Sequence, residues 1–330
     1  HLLATKQETV ETKPGVGYVT DSTRLWNRQG KQLLKLKESS SAIAHQFIAN
    51  GQKIATIAYE PLPSSSAKSD SSKPLTPSGS PPTKNNVTLQ ILDLQGRLLT
   101  QTKVTVGFQP RIQLSPDGQF LTSVEDGLDR KKPKVTRLWN IQGQQLAEVK
   151  TQSYEFNWES GKFSPDGKQW VNASPDGKVE LWNSQGQKLT TLEHPQGEIR
   201  ELQFSPDSQQ LVIVKADGTV NLWNLKGQQI TTLPIHQLNP NMIQISPDSQ
   251  QLAIIDRNET VKLWNFSGQQ TGQLQGVKKS TMLQFSPDNQ RIATAAYDGT
   301  IQLWNLQGQQ IGEFKGHPVE KNTSVSGSVR

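Results

Sequence analysis

The chain contains no cysteine, which removes disulfides, thiolate zinc sites and cysteine nucleophiles in one step. Histidine is nearly as scarce, and the five present, His1, His45, His194, His236 and His317, show no metal-ligand spacing. No Gly-x-Ser-x-Gly and no phosphate-binding glycine loop occurs. Apolar residues make up only 32% of 330 positions, too few for one thick core and suited to a core divided among many thin sheets. No apolar run reaches the roughly 20 residues of a membrane-spanning helix. The net charge of +6 is spread along the chain and forms no basic stripe, so nucleic-acid binding is not expected. Metal, cofactor and membrane are not expected either.

What the sequence does have is repetition. Leu-Trp-Asn closes a strand-like stretch at Trp26, Trp139, Trp182, Trp223, Trp264 and Trp304, and Ile91-Leu92-Asp93 is a degraded seventh copy. From Leu92 onward the steps are 47, 43, 41, 41 and 40 residues. Units that short cannot form separate domains, so residues 1–330 read as one array.

Each unit has the same internal order. In the fifth, Ser205-Pro206-Asp207 makes a turn in which proline presets φ, and the apolar stretch Leu211 to Val214 follows. Ala216-Asp217-Gly218 makes a second turn, and Val220 and Leu222 then alternate with Asn221 and Trp223 in a third strand. Asn224 to Gly227 turns the chain into a fourth strand near Ile230. The Asn/Asp-x-x-Gly turn recurs in every copy, ending at Gly30, Gly96, Gly143, Gly186, Gly227, Gly268 and Gly308. Asp-Gly pairs at Asp117, Asp166, Asp176, Asp217 and Asp298 sit in repeated turns where aspartate is locally favoured, so they are read as turn residues, not as catalytic carboxylates.

Four short antiparallel strands per repeat, closed by a Trp, resemble the blades of the WD-repeat β-propellers, with Asn in place of the usual Asp after Trp. The resemblance covers nearly all of residues 1–318 and is to the bacterial-type Leu-Trp-Asn-x-x-Gly repeats. It implies an all-β, seven-bladed propeller of four-stranded antiparallel blades, strand a innermost and strand d outermost. It also implies a supporting group in which a His before strand a faces an Asp in the turn between strands b and c. His194 with Asp217 completes that pair, His317 occupies the His position, and Asn258 and Val277 break the pattern elsewhere.

Alignment of His1–Thr5 with Gln290–Thr294 places residue 1 at the start of strand b. Strand a of the first blade is therefore expected either from residues 319–330 or from a missing upstream segment.

Departures from the repeat mark the candidate functional face. Phe204 to Trp223 is 19 positions, whereas Leu114 to Trp139 is 25 and Phe47 to Leu92 is 45, and residues 6–21 enlarge the first blade in the same place. All three insertions fall between strands b and c, so they enlarge loops on one face in three consecutive blades. Residues 60–86, rich in Pro and Ser, read as disordered. Arg130 and Lys131 lie in a basic insertion, and Tyr18 lies in the first one. Arg257 and Tyr297 occupy the equivalent turns of neighbouring short blades, and Arg and Tyr are the side chains that most often anchor interfaces.

The expected function is a non-catalytic scaffold for a protein or peptide partner, a monomeric cytoplasmic propeller within a larger regulatory or signalling protein. The alternative is a propeller enzyme or small-ligand sensor with a site at the channel mouth. Trp26, Trp139, Trp182, Trp223, Trp264 and Trp304 are expected in the packing between blades.

Overall fold

Strand Gln251–Asp256 shows how these residues build the fold. Leu252 and Ile254 pack into one apolar cluster, and Ala253 and Ile255 into another, because the two sides of the strand meet different neighbouring sheets. Alternation in this strand therefore divides two buried faces and does not separate core from solvent. Each of those four side chains is at most 1% exposed, so a low overall apolar content still fills every gap between sheets.

The computed structural model describes residues 3–13, 16–26, 32–37, 42–49, 51–61, 84–107, 110–125, 134–151, 161–174, 177–192, 197–235, 238–256, 260–277 and 280–315. They contain strands and turns and no helix. Two compact units divide the chain, His1–Gln196 and Gly197–Arg330.

The first unit holds four sheets. The first is Leu3–Lys13, Val16–Trp26 and Gln32–Lys37; the second is Ala42–Ile48, Lys53–Pro61, Lys84–Asp93 and Leu98–Gly107. The third is Arg111–Leu114, Phe120–Glu125, Lys134–Asn140 and Gln145–Thr151, and the fourth is Lys162–Phe163, Gln169–Ala173, Val179–Asn183 and Lys188–Leu192.

The second unit holds three. These are Ile199–Phe204, Gln210–Lys215, Val220–Asn224 and Gln229–Leu233; Leu238–Ile245, Gln251–Asp256, Val261–Asn265 and Gln270–Leu274; and Ser280–Phe285, Arg291–Ala296, Ile301–Asn305 and Gln310–Phe314. Strands in every sheet pair antiparallel with their sequence neighbours. Six sheets are four-stranded, as read from the repeats; the first has three described strands. In it Leu3 lies opposite Trp26 as Ile292 lies opposite Trp304, the register that the alignment of the two segments gives. Residues 319–330 lie outside the described residues.

Three local devices hold the repeat together. In the Ser-Pro-Asp turns the Ser hydroxyl donates to the Asp carboxylate, at 2.6 Å for Ser115–Asp117 and Ser164–Asp166. Where the next turn residue is Ser249 or Asn289 it adopts a left-handed φ of 62° or 56°. Its side-chain oxygen then accepts the backbone N–H of Asp207 or Asp248 in the preceding sheet, at 2.9 and 3.1 Å. A left-handed residue with a short acceptor thus links consecutive turns, which explains Ser and Asn at a position where the third and fourth sheets carry Gly.

In the turns before the outer strands at Asn140, Asn183, Asn224 and Asn305, the Asn after Trp accepts two backbone N–H groups through Oδ1 and donates through Nδ2 to a Gln four residues on; Asn265 accepts one backbone N–H and the Ser267 hydroxyl. Asn224 to Gln228 is 2.9 Å and Asn305 to Gln309 is 2.9 Å. Where Asp93 replaces Asn, Arg97 replaces the Gln and the pair becomes an ion pair at 2.5 Å.

The glycine of that turn has a third role. A Cβ on Gly308, which sits at φ 84°, would lie 2.0 Å from the carbonyl oxygen of Gln273 in the preceding sheet, and one on Gly186 would lie 2.5 Å from that of Leu146. The turn is tight and also pressed against its neighbour's outer strand.

Each outer strand opens with a bulge opposite the Trp position. In the second, fourth, fifth and seventh sheets the extra residue points outward, leaving Leu99, Leu189, Ile230 and Ile311 between 40% and 52% exposed, whereas Leu146 in the third is half-buried. Such a bulge twists an edge away from unwanted strand pairing.

Candidate functional site

The three insertions do not begin as loops. In the first sheet the ladder runs unbroken from Leu3 opposite Trp26 to Lys13 opposite Val16, so residues expected to enlarge a loop form a long hairpin. In the second it continues to Pro61 opposite Asn85, and Leu98–Gly107 extends alongside as far as Lys84 opposite Gly107. The segment read as disordered over residues 60–86 thus includes paired strand residues at both ends, and residues 62–83 lie outside the described residues. The physical reason is burial: Val87, Val104 and Val106 carry the alternation of Ile57 and Leu89 past the length of a normal blade, and all five are at most 4% exposed. Proline and serine content past Pro61 masked that signal.

In the third sheet the stem of the basic insertion ends at Val135 opposite Glu125. Arg137 bridges two carboxylates there, bonding Glu125 through one terminal nitrogen and Glu148 through Nε at 2.9 Å, with Lys150 3.3 Å from Glu148. Burial works against the Arg137 charge, but its bonds to Glu125 and then Glu148 outweigh that and hold its pKa above the ordinary value. Gly107 at the end of the second sheet leaves room for Glu125, since a Cβ there would strike the carboxylate. Arg137 is therefore committed to the stem. Arg130 and Lys131 lie outside the described residues.

Of the other residues singled out from sequence, Tyr297 is the one whose side chain is described on the proposed face. It is 74% exposed on the turn closed by the Gly299 N–H to Ala296 carbonyl bond. Arg257 lies outside the described residues, and Tyr18 is placed by its backbone opposite Glu11. His194 and His317 also lie outside the described residues, and with them the expected His–Asp pairing. Asp217 itself caps its turn through the Thr219 N–H at 2.8 Å. Trp139, Trp223, Trp264 and Trp304 are buried, Trp182 is partly buried, and Trp26 is placed by its backbone opposite Leu3. Trp170 stacks on Trp182 with ring centroids 5.5 Å apart and thickens the fourth sheet.

One feature was not readable from sequence. Met282, Ala295, Ile301 and Phe314 form a continuous cross-strand row over the seventh sheet. Met282, Ile301 and Phe314 are 63%, 42% and 58% exposed, whereas the equivalent Val220 and Leu233, or Val261 and Leu274, are at most 2%. The residue types are alike, and only a covering neighbour makes the difference. Among the described residues no three His, Asp or Glu side chains converge as a metal site would require, and no helix is long and apolar enough to cross a membrane.

Among families, the model described as eukaryotic translation initiation factor eIF2A matches residues 131–323, more than half of the chain. The chain belongs to that family. No curated protein sequence matches it.

Among solved structures, the eIF2A-family chain is similar to the computationally designed Ika8 protein, with TM-score 0.58 and 22% identity over 94% of this chain and 86% of that one. It is also similar to a structure of "the eukaryotic initiation factor", with TM-score 0.57 and 14% identity over 90% and 85%. The C-terminal WD40 domain of Sif2 matches 60% of this chain and 58% of its own at 19% identity, with TM-score 0.47. At these identities the likeness is one of fold, an all-β architecture of repeated antiparallel sheets.

Proposed function

We propose that the seven sheets are the blades of one closed propeller and that the ring is a non-catalytic scaffold for a protein partner, the WD-repeat module of a larger regulatory protein in the cytoplasm. Ring closure is supported by the open row Met282, Ala295, Ile301 and Phe314, whose equivalents between consecutive sheets are buried by the next repeat. The scaffold reading rests on one observation above all. Sheets one and two lengthen their b and c strands and sheet three its c strand, while the turns into the outer strands keep one hydrogen-bond pattern from Asn140 to Asn305. Variation is thus confined to one side of the repeat, the side that carries the exposed Tyr297. The family description names translation initiation, but the diffuse charge of the chain favours a protein over a nucleic acid as the partner.

The test is affinity capture from native extract with wild type, an Arg257→Ala and Tyr297→Ala double variant, and a form trimmed of residues 62–83. A partner on this face should bind at least about tenfold more weakly to the double variant if these two side chains are anchors. Binding that survives both changes but is lost on altering Arg97 and Lys226, in the turns before the outer strands, would place the interface on the other side.

A further inference from the structure

We propose that an ordered water molecule sits between the third and fourth sheets and joins the Trp182 indole N–H to the Asn172 side chain. The repeat itself frames the argument. In the third sheet Trp139 lies opposite Leu121, and its Nε1 donates to Ser123 Oγ, two residues further on, at 3.1 Å. In the seventh, Trp304 lies opposite Ile292 and donates to Thr294 Oγ1 at 3.0 Å. In the fourth, Trp182 lies opposite Trp170, so the same position is Asn172.

Asn172 shares a face with Trp170, which stacks on Trp182, so donor and acceptor point to the same side of the sheet. Yet Trp182 Nε1 and Asn172 Oδ1 are both buried and neither has a partner, although Asn172 is only 2% exposed. A buried donor and a buried acceptor left unpaired on one face of a sheet each lose their hydration without compensation. A water between them would accept from the indole and donate to the amide oxygen. Glu180, opposite Asn172 on the same face and 6% exposed, offers a further acceptor for the second water proton. That supplies the two to four polar partners an internal water requires. Lys178 and Lys188, 2.7 and 3.5 Å from Glu180 Oε1, hold that carboxylate in place.

Solution NMR on the full nitrogen-15-labelled chain tests this. Water-selective transfer should give the Trp182 indole N–H a cross-peak to a long-lived water and give none to Trp304, whose donor is already bonded; Trp182→Phe assigns the signal. Asn172→Ser copies the third sheet, so the hydroxyl should take the indole directly, abolish the cross-peak and slow indole exchange about tenfold. Absence of the wild-type cross-peak, or a cross-peak and exchange rate unchanged in Asn172→Ser, would overturn the proposal, as would a crystal structure with Asn172 Oδ1 bonded directly to Nε1.

Discussion

Trp304 Nε1 donates to Thr294 Oγ1 at 3.0 Å across two neighbouring strands, inside a sheet where both residues are at most 1% exposed. The sixth sheet lacks this bond. There Trp264 lies opposite Leu252, the hydroxyl position is Ile254, and Trp264 Nε1 is buried without a partner. Removing the hydroxyl by Thr294→Val should therefore cost about 1–3 kcal/mol, the usual penalty of a buried donor left unpaired. In the sixth sheet the missing bond can be supplied. Ile254→Thr should cost about 1 kcal/mol less than Ile255→Thr, because only residue 254 faces the unpaired indole. Urea denaturation of the three variants decides it, and equal losses at 254 and 255 would show that the indole gains nothing from the hydroxyl.

Two turn glycines, Gly51 between the first two strands of the second sheet and Gly308 before the outer strand of the seventh, separate two effects that sequence merges. Gly51 and Gly308 both sit at a φ near +80°, but a Cβ on Gly51 would meet nothing within 4 Å, whereas one on Gly308 would meet a backbone carbonyl. Gly51→Ala should thus show the left-handed strain alone, about 1–2 kcal/mol. Gly308→Ala should cost at least about twice that, because the turn must lift from the sixth sheet's outer strand to clear the oxygen. Comparable losses in thermal denaturation would mean that the close approach is relieved without cost.

Turn chemistry and period were legible in the sequence because they are local: Ser-Pro-Asp, Asn-x-x-Gly and the Trp position each fix a backbone shape within a few residues. Strand count per repeat followed from them. Lengthening of the second sheet was legible only in part, since Val104 and Val106 alternate with Lys103 and Thr105 as any strand does, and nothing local says that a neighbour covers them. The exposure of Ile301 and Phe314 was not legible at all. The Arg137 clamp was equally hidden, since its partners Glu125 and Glu148 come from two other strands and meet it only through register.

Acid should loosen the fold through carboxylates that the turns and ion pairs hold. The hydrogen bond from Arg137 outweighs partial burial and keeps Glu148 below the ordinary carboxylate range. The Ser286 hydroxyl, helped by the Gln290 N–H, does the same for Asp288. A depressed folded pKa means stability that is complete above the unfolded value, about 4, and is lost as pH falls through the folded one. Tm should accordingly be flat from neutral pH to about 5 and fall steeply below about 4. Glu148→Gln should lower Tm at pH 7 and flatten the acid limb. An acid limb as steep in the variant as in wild type would remove Glu148 from the account.

Phe314 tests ring closure directly, because its predicted energetic role depends on whether anything covers it. As the residues stand, Phe314 is 58% exposed and Ile301 beside it is 42% exposed, and truncating a side chain that open costs within about 0.5 kcal/mol. In a closed ring both would be core residues like Leu274 and Val261 between the sixth and seventh sheets. Phe314→Ala should then cost about 3–5 kcal/mol, close to the loss from Leu274→Ala. Amide exchange supplies the independent reading: closure should protect residues 301–303 and 3–5 together, and Phe314→Ala should release both segments at once. A loss under about 0.5 kcal/mol with exchange unaltered at residues 3–5 would mean that the array of sheets stays open in solution.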